Sequence, residues 1–217
     1  MIRIGILTAL LSVALSMANA QQTPIDISAE ANTTWCNEIV ANCASFPFGM
    51  QRYDGVSFSI PGDNNTANDV WAAADAAGGG SAPVSVTVPI NLPNIRTVYT
   101  LMNTNWGSTQ SGLLSITFTA ADGTTWTSNL LGNVEIRDHN QGSFTNDISC
   151  QLPNGTERLG VVNAWTNNHG QRLDMQVFEL PSSFKGQTLT SLTINDNGNE
   201  NVQRSFLAAV TVSTRVP

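Results

Sequence analysis

The sequence predicts an all-β protein, an antiparallel two-sheet β-sandwich with a short amino-terminal lead-in segment. From residue 46 onward apolar residues alternate with polar ones, and Gly, Asn, Asp and Pro separate the alternating stretches. No long amphipathic helical pattern lies between these stretches, so the strand–helix alternation of a parallel sheet is missing. A sandwich of two antiparallel sheets is the simplest architecture that accounts for this pattern.

The individual strands follow from the same alternation. In residues 84–90, three valines and Ile90 alternate with Ser, Thr and Pro, which predicts a half-buried strand. Residues 121–123, Ala-Asp-Gly, predict the turn of a hairpin. Strands are expected in residues 56–60, 84–90, 95–102, 114–119, 124–131, 134–137, 142–150, 159–165, 172–180, 188–196 and 206–214.

The first twenty residues have the pattern of a secretory signal peptide. Arg3 precedes an uncharged apolar run at residues 6–17, and Ala18-Asn19-Ala20 supplies small residues for cleavage. The apolar run is too short to span a bilayer of about 30 Å. We therefore expect a secreted, extracellular protein in three parts: a signal peptide at 1–20, a lead-in segment at 21–45 with a short helix at 33–44, and a β-sandwich domain at 46–217.

The charge of the chain disfavours two classes of partner. The chain has 9 basic and 16 acidic residues, a net charge of −7, and the basic residues are scattered singly. Nucleic-acid binding needs a cluster of cations that can neutralise neighbouring phosphates. Adhesion to anionic lipid needs the same. We therefore expect no nucleic-acid partner and no membrane insertion.

An exported chain makes its three cysteines candidates for a disulfide. Cys36 and Cys43 are close in sequence, so a loop between them closes at a small entropic cost, and we expect this pair. The alternative, Cys43 with Cys150, would tie the lead-in to the body of the protein and restrict the unfolded chain more. One cysteine is left over in either case.

Export also gives meaning to three N-x-[ST] sequons, at Asn32, Asn64 and Asn154. In a eukaryotic chain each is a candidate glycosylation site and must then lie on the surface. Asn154 stands in Leu-Pro-Asn-Gly-Thr, which predicts an exposed turn. The alternative is chance, because Asn and Thr are abundant throughout the chain.

Three stretches resemble galactose-binding-domain-like jelly rolls. Residues 54–61 resemble their opening strand, residues 98–107 a central strand leading into a loop, and residues 206–212 their closing strand. The resemblance implies a jelly-roll sandwich that binds sugars through loops at one end, often with a structural calcium. The chain has no clear calcium motif of that family. No cofactor is therefore expected, although the oxygen-rich residues 63–69 and 196–200 leave a structural calcium open.

Two polar stretches, residues 135–141 and 165–174, each follow an apolar strand and each hold one of the two histidines. Neutral sugars are bound by an aromatic face together with amides, carboxylates and guanidinium groups. The candidate ligand-binding residues are therefore Trp106, Arg137, Asp138, His139, Asn140, Trp165, His169, Arg172 and Asp174. The alternative is structural: charged pairs at strand ends commonly hold loops, and the tryptophans then belong to the core.

Catalytic patterns are weak by comparison. The chain has no G-x-S-x-G, no H-E-x-x-H and no C-x-x-C, so we assign no catalytic residue and no metal ligand. The leading hypothesis is a secreted, non-catalytic protein that binds carbohydrate or a cell-surface glycan. The second is an extracellular protein-interaction, effector or matrix component. The third is a glycoside hydrolase or lyase that uses Asp138 and Asp174.

Overall fold

The structure is a computed structural model that describes residues 20–38, 45–62, 67–73, 84–142, 144–149, 160–197 and 203–214. Residues 1–19 of the expected signal peptide lie outside the described residues. Among the described residues, no helix is long and apolar enough to cross a membrane.

The regular elements of the described residues are twelve strands, one short α-helix and a single 3₁₀ turn at Ser182–Phe184. The helix α1 spans Trp35–Glu38. The strands are β1 (Gln22–Ile25), β2 (Gly49–Tyr53), β3 (Val56–Ile60), β4 (Trp71–Ala72), β5 (Val84–Pro93), β6 (Ile95–Asn105), β7 (Leu114–Ala120), β8 (Thr125–Leu130), β9 (Gly160–Thr166), β10 (Arg172–Glu179), β11 (Thr188–Asp196) and β12 (Arg204–Thr214).

Two antiparallel sheets form the body of the protein. One has the strand order β1-β12-β6-β10-β9, with β4 also paired to β12, and the other has the order β5-β11-β7-β8. The main core lies between them, where Val98 and Phe178 of the first sheet join Phe118 and Ile194 of the second. The predicted all-β, antiparallel two-sheet sandwich is therefore confirmed.

The four-stranded sheet has one buried and one solvent-facing side, as its alternating sequence predicts. Residues of β7 are buried and half-buried in strict alternation. On the outer face, threonine hydroxyls are hydrogen-bonded in cross-strand pairs: Thr87 with Thr193 and Thr117 with Thr127, each at 2.9 Å. Uncharged hydroxyl groups therefore cover the middle of this face.

Strand β12 of the six-stranded sheet is buried on both faces. In β12 ten consecutive residues are buried. Val210 packs in the core between the two sheets, whereas Phe206 packs in a second core on the opposite side. The hairpin β2–β3 covers that second face with Phe58, and the Thr211 hydroxyl donates to the carbonyl of Ser57 (2.6 Å). The sheet is the middle of three layers.

The lead-in segment belongs to this structure. Strand β1 pairs with β12, and Trp35 of α1 is fully buried in the second core. Of the expected helix at 33–44, α1 covers four residues, and residues 39–44 lie outside the described residues. Cys36 in α1 is disulfide-bonded. Cys43 and Cys150 lie outside the described residues, so the Cys36–Cys43 pairing stays a prediction.

Two expected strands, at 134–137 and 142–150, are wrong wherever the structure describes them. Residues 131–142 and 144–149 form an irregular connection, called here the 131–149 loop. Acidic side chains bind the backbone within it: Glu135 Oε2 accepts the N–H of Leu131 (2.8 Å). Such local bonds offer the backbone an alternative to a strand ladder, which explains the failure of the alternation rule here.

Replacing Phe58 by alanine tests whether the hairpin is a true third layer. Phe58 is fully buried, so the change is expected to lower the free energy of unfolding by about 3–5 kcal/mol, measured by urea denaturation. Phe48, just before β2, is 43% exposed and is the matched control, for which a loss below about 1 kcal/mol is expected. Equal losses in the two variants would contradict the three-layer packing.

Candidate functional site

The 131–149 loop lies across the end of the six-stranded sheet where β6 ends and β10 begins. The N–H of Thr104 donates to the carbonyl of Arg137 (3.0 Å), and the N–H of His139 donates back to the carbonyl of Thr104 (2.8 Å). The N–H of Arg172 donates to the carbonyl of His139 (2.9 Å). The two polar stretches that the sequence singled out therefore meet at one end of the sandwich.

Asp174 and Arg137 form a bidentate ion pair inside this end. Arg137 Nε donates to Asp174 Oδ2 (2.8 Å), and Nη2 donates to Oδ1 (2.7 Å). Asn103 Nδ2 also donates to Oδ2 (2.6 Å), and Asn103 Oδ1 accepts the N–H of Asp174 (2.8 Å). The Asp174 side chain is fully buried and that of Arg137 is 11% exposed. The pair joins the loop to the two central strands.

Asp138 joins the 131–149 loop to the loop that follows β6. Its Oδ1 accepts the N–H of Asn140 (2.7 Å), and its Oδ2 accepts the N–H of Trp106 (2.8 Å). The carboxylate is buried, so these charge-assisted hydrogen bonds are poorly screened by water. Two neighbouring loops are thus held on the two oxygens of one carboxylate.

Arg172 binds the backbone of the same loop from β10. Its Nε donates to the carbonyl of Asp138 (2.9 Å), and its Nη2 reaches the carbonyl of Thr145 (3.3 Å) and Asn146 Oδ1 (3.2 Å). Burial, followed by the positive charge of Arg137, lowers the pKa of Arg172 from its usual value. The guanidinium group therefore holds the loop rather than facing solvent.

His139 lies in an aromatic environment beneath this loop. Its ring meets Trp35 edge-on, with centroids 5.6 Å apart, and Phe206 at 5.9 Å. Its Nδ1 is 3.2 Å from the carbonyl oxygen of Thr104 and 3.5 Å from Asp138 Oδ1. Burial lowers the pKa of His139, and the negative charge of Asp138 only partly offsets this.

Trp165 belongs to the same aromatic group. Its ring is edge-on to Trp35 and to Phe46, with centroid distances of 6.4 and 6.1 Å, and the side chain is partly buried. Trp35 and Phe46 stack at 4.3 Å. The Trp165 ring therefore packs against the buried aromatic side chains of the second core.

Among the residues that the structure describes, two aromatic rings remain exposed at this end, Trp106 and Phe144. They are 51% and 66% exposed, their centroids are 6.1 Å apart, and their planes are inclined by 31°. We call this pair the aromatic platform. Trp106 is among the residues predicted from the sequence, but Phe144 is not, although a single Phe within the polar stretch Gln-Gly-Ser-Phe-Thr is an available signal.

Close loop packing supports the platform. A Cβ at Gly107 would lie 2.1 Å from Thr145 Oγ1, and one at Gly132 would lie 2.0 Å from the carbonyl oxygen of Ser108. Both distances are far shorter than a contact between a Cβ and another heavy atom can be. Glycine, which has no Cβ, is therefore the residue that fits where these loops touch.

Exposed polar side chains lie beside the same loops. Asn140 and His169 are exposed, and the N–H of Gln141 donates to the carbonyl of Gly170 (2.9 Å), which brings their two turns together. Of the nine predicted ligand-binding residues, the structure therefore exposes Trp106, Asn140 and His169. Trp165 is partly buried, and the others are buried or nearly so and bonded to protein groups: Arg137, Asp138, His139, Arg172 and Asp174.

The remaining sequence-based sites are only partly described. Asn32 is exposed, but its side-chain amide donates to the carbonyl of Ala72 (2.9 Å) and accepts the N–H of Ala72 (2.8 Å). Asn64 and Asn154 lie outside the described residues. Within the described part of the chain, no three His, Cys, Asp or Glu side chains cluster as metal ligands. The two oxygen-rich segments that left a structural calcium open, residues 63–69 and 196–200, extend beyond that part.

Comparison of the chain with protein-family models, with curated proteins and with solved structures gave no match.

Breaking the buried ion pair is expected to destabilise the fold. Asp174→Asn leaves the Arg137 charge without its carboxylate, and the expected loss is about 3–5 kcal/mol in the free energy of unfolding. The exposed pair Arg96–Glu179, at 3.8 Å, supplies the control, because Glu179→Gln is expected to cost less than about 0.5 kcal/mol. A similarly small decrease in the free energy of unfolding in both variants would show that the buried ion pair does not stabilise the fold.

Acid is expected to destabilise the protein through His139. Burial lowers its pKa from the ordinary value of 6.5, so below that pH the unfolded chain takes up a proton that the folded protein does not. The free energy of unfolding then falls by up to about 1.4 kcal/mol per pH unit as the pH drops, until the folded pKa is reached. Urea denaturation between about pH 7.5 and about pH 5 measures this slope.

The second histidine provides the matched control for this experiment. His139→Asn is expected to flatten the slope, whereas His169→Asn, an exposed position, is expected to keep it. Asp26 and Asp122 do not interfere, because backbone N–H groups of Ser28 and Thr124 lower their pKa from 3.8. A slope in His139→Asn equal to that of the unchanged protein would rule out His139 as its source.

Proposed function

We propose that this protein is a secreted, non-catalytic glycan-binding β-sandwich and that the aromatic platform is its contact surface. The single observation that carries the proposal is the exposure of Trp106 and Phe144, with ring centroids 6.1 Å apart, on two neighbouring loops. Aromatic faces stack on the C–H faces of sugars, and exposed large aromatic rings grouped together mark interaction sites.

The backbone of Trp106 supports a functional reading of its exposure. Trp106 has a φ of +58°, a left-handed conformation that is an outlier for a bulky residue. Such strain costs about 1–3 kcal/mol and persists only where the surroundings impose it. Here the buried carboxylate of Asp138 accepts the N–H of Trp106 and holds the residue in place. The rest of the fold thus offsets the cost of this backbone conformation, in which the indole of Trp106 is exposed to solvent.

Polar groups beside the platform suit hydroxyl ligands. Asn140, Gln141 and His169 are exposed in turns that hydrogen bonds bring together. Amide groups donate and accept at once, as sugar hydroxyls do. The resemblance to galactose-binding-like jelly rolls, in which loops at one end bind sugars, agrees with this arrangement.

Export, glycosylation and the disulfide form part of the same proposal. A signal peptide at 1–20 would deliver the chain to an oxidising compartment, where Cys36 would pair with Cys43 and the three sequons would become substrates for glycosylation. These features describe a protein that works outside the cell and meets glycans there.

The other two hypotheses are less well supported. Exposed aromatic rings also anchor protein–protein interfaces, so a protein partner is the second candidate for the platform. A hydrolase would need Asp138 and Asp174 to reach a substrate, but both carboxylates are buried and accept hydrogen bonds from protein groups. A catalytic role for this pair therefore has little geometric basis.

Sedimentation with insoluble polysaccharides tests the proposal. Trp106→Ala and Phe144→Ala are each expected to reduce retention by at least about tenfold, because stacking residues at the centre of a contact commonly contribute more than about 1.4 kcal/mol. Phe48→Ala removes an exposed phenylalanine elsewhere and is expected to leave retention unchanged. Equal retention of all variants, or no retention of the unchanged protein, would contradict the proposal.

A further variant separates binding from folding. Asn adopts the left-handed region more readily than Trp. Trp106→Asn should therefore keep or raise the melting temperature while it abolishes retention.

A further inference from the structure

We infer that the aromatic platform binds a neutral, linear polysaccharide along its chain and does not bind a single terminal sugar. The inference rests on the proposed function and adds the class of glycan. It follows from the openness of the platform and from the state of the arginines beneath it.

The platform is open and made of two rings. Sites that take one small ligand are concave and bury most of its surface. Trp106 and Phe144 are each more than half exposed, and their centroids are 6.1 Å apart. A cavity of about 160 Å³ does occur among the described residues, but Ser111, Asn129 and Leu131 line it together with neighbours that include neither ring.

Two adjacent exposed rings can each stack on one sugar of an extended chain. Each sugar then touches protein on one face only, so its contribution is small and affinity has to accumulate over successive sugars. Contacts that are linked in this way strengthen each other, because the second is made at a high effective concentration. Binding at an open surface also leaves both ends of the chain free, so internal stretches are recognised.

The charges at this end favour a neutral glycan. Arg137 directs its donors to Asp174 and to the carbonyl of Asn146, and Arg172 directs its donors to the 131–149 loop. Arg204, opposite Asn105 in the sheet, is buried as well. These three arginines therefore offer no exposed cation to a carboxylate or sulfate.

An exposed acidic group lies close to the buried arginines. Asp147 is exposed, and its negative charge is near enough to offset part of the lowering of the Arg172 pKa. The whole chain carries a net charge of −7, so an acidic glycan meets repulsion both at the site and at longer range. Neutral sugars pay no such penalty and are bound by the exposed amides.

The test compares glycans that differ in charge and in length. The unchanged protein is sedimented with four neutral polysaccharides, namely cellulose, chitin, β-1,3-glucan and xylan, and is run in gels that contain polygalacturonate or heparin. Oligosaccharides of one to six units from whichever neutral polymer retains it are then titrated by calorimetry. We expect Trp106-dependent retention on a neutral polymer, none on the acidic polymers, and an affinity at least about tenfold higher for four units than for one.

The Phe144→Ala variant makes the two-ring argument specific. Removing one ring is expected to reduce the affinity for the tetrasaccharide toward that of the monosaccharide, and Phe48→Ala is expected to change neither. Reducing the terminal sugar of the chain to its alditol should leave the tetrasaccharide affinity within about twofold, because chain ends are not recognised.

The outcomes distinguish this inference from the proposed function. Trp106-dependent binding of a monosaccharide as tight as that of a tetrasaccharide would overturn the inference and leave glycan binding intact. Trp106-dependent binding to heparin or polygalacturonate, with none to the neutral polymers, would also overturn the inference and leave glycan binding intact. Trp106-independent retention on every polymer, or no retention at all, would overturn both.

Discussion

The bidentate pair between Arg137 and Asp174 is the interaction on which this end of the molecule depends. Asp174 is fully buried in a central strand, so its charge requires a partner, and Arg137 of the 131–149 loop supplies it at 2.7 Å. A buried pair of this kind adds little net stability compared with apolar packing, but it fixes one arrangement, because any other leaves a charge buried alone. The loop is therefore held in one position on the sheet.

The aromatic platform follows from that position. With the 131–149 loop fixed, Asp138 lies where its two oxygens accept the N–H groups of Asn140 and Trp106. The second of these bonds supports the left-handed backbone of Trp106, and the same loop carries Phe144 beside it. The residues that the sequence suggests as ligand contacts thus divide into a buried group that positions the loops and an exposed group that includes Trp106 of the proposed contact surface.

Much of the fold is predictable because its cause is local. Alternation in β7 and β11 reports a sheet with one buried face, and the Ala-Asp-Gly turn joins β7 to β8. The burial of β12 on both faces is less visible, because the hairpin β2–β3 and Trp35, which cover its second face, are distant in sequence. The two segments wrongly predicted as strands alternate like strands, but side chains within the loop bind the nearby backbone: Glu135 accepts the N–H of Leu131, and Asn146 accepts that of Gly142.

The sequence by itself determined the all-β class, the antiparallel sheets and the two polar stretches that carry the histidines, since composition and short-range spacing control all three. Only the tertiary structure decided what those stretches do. Charge and polarity look the same in a sequence whether a side chain faces a ligand or a buried partner. Whether Arg172 meets solvent or the carbonyl of Asp138, and whether Trp106 is exposed while Trp165 packs inward, depends on contacts between segments far apart in the chain.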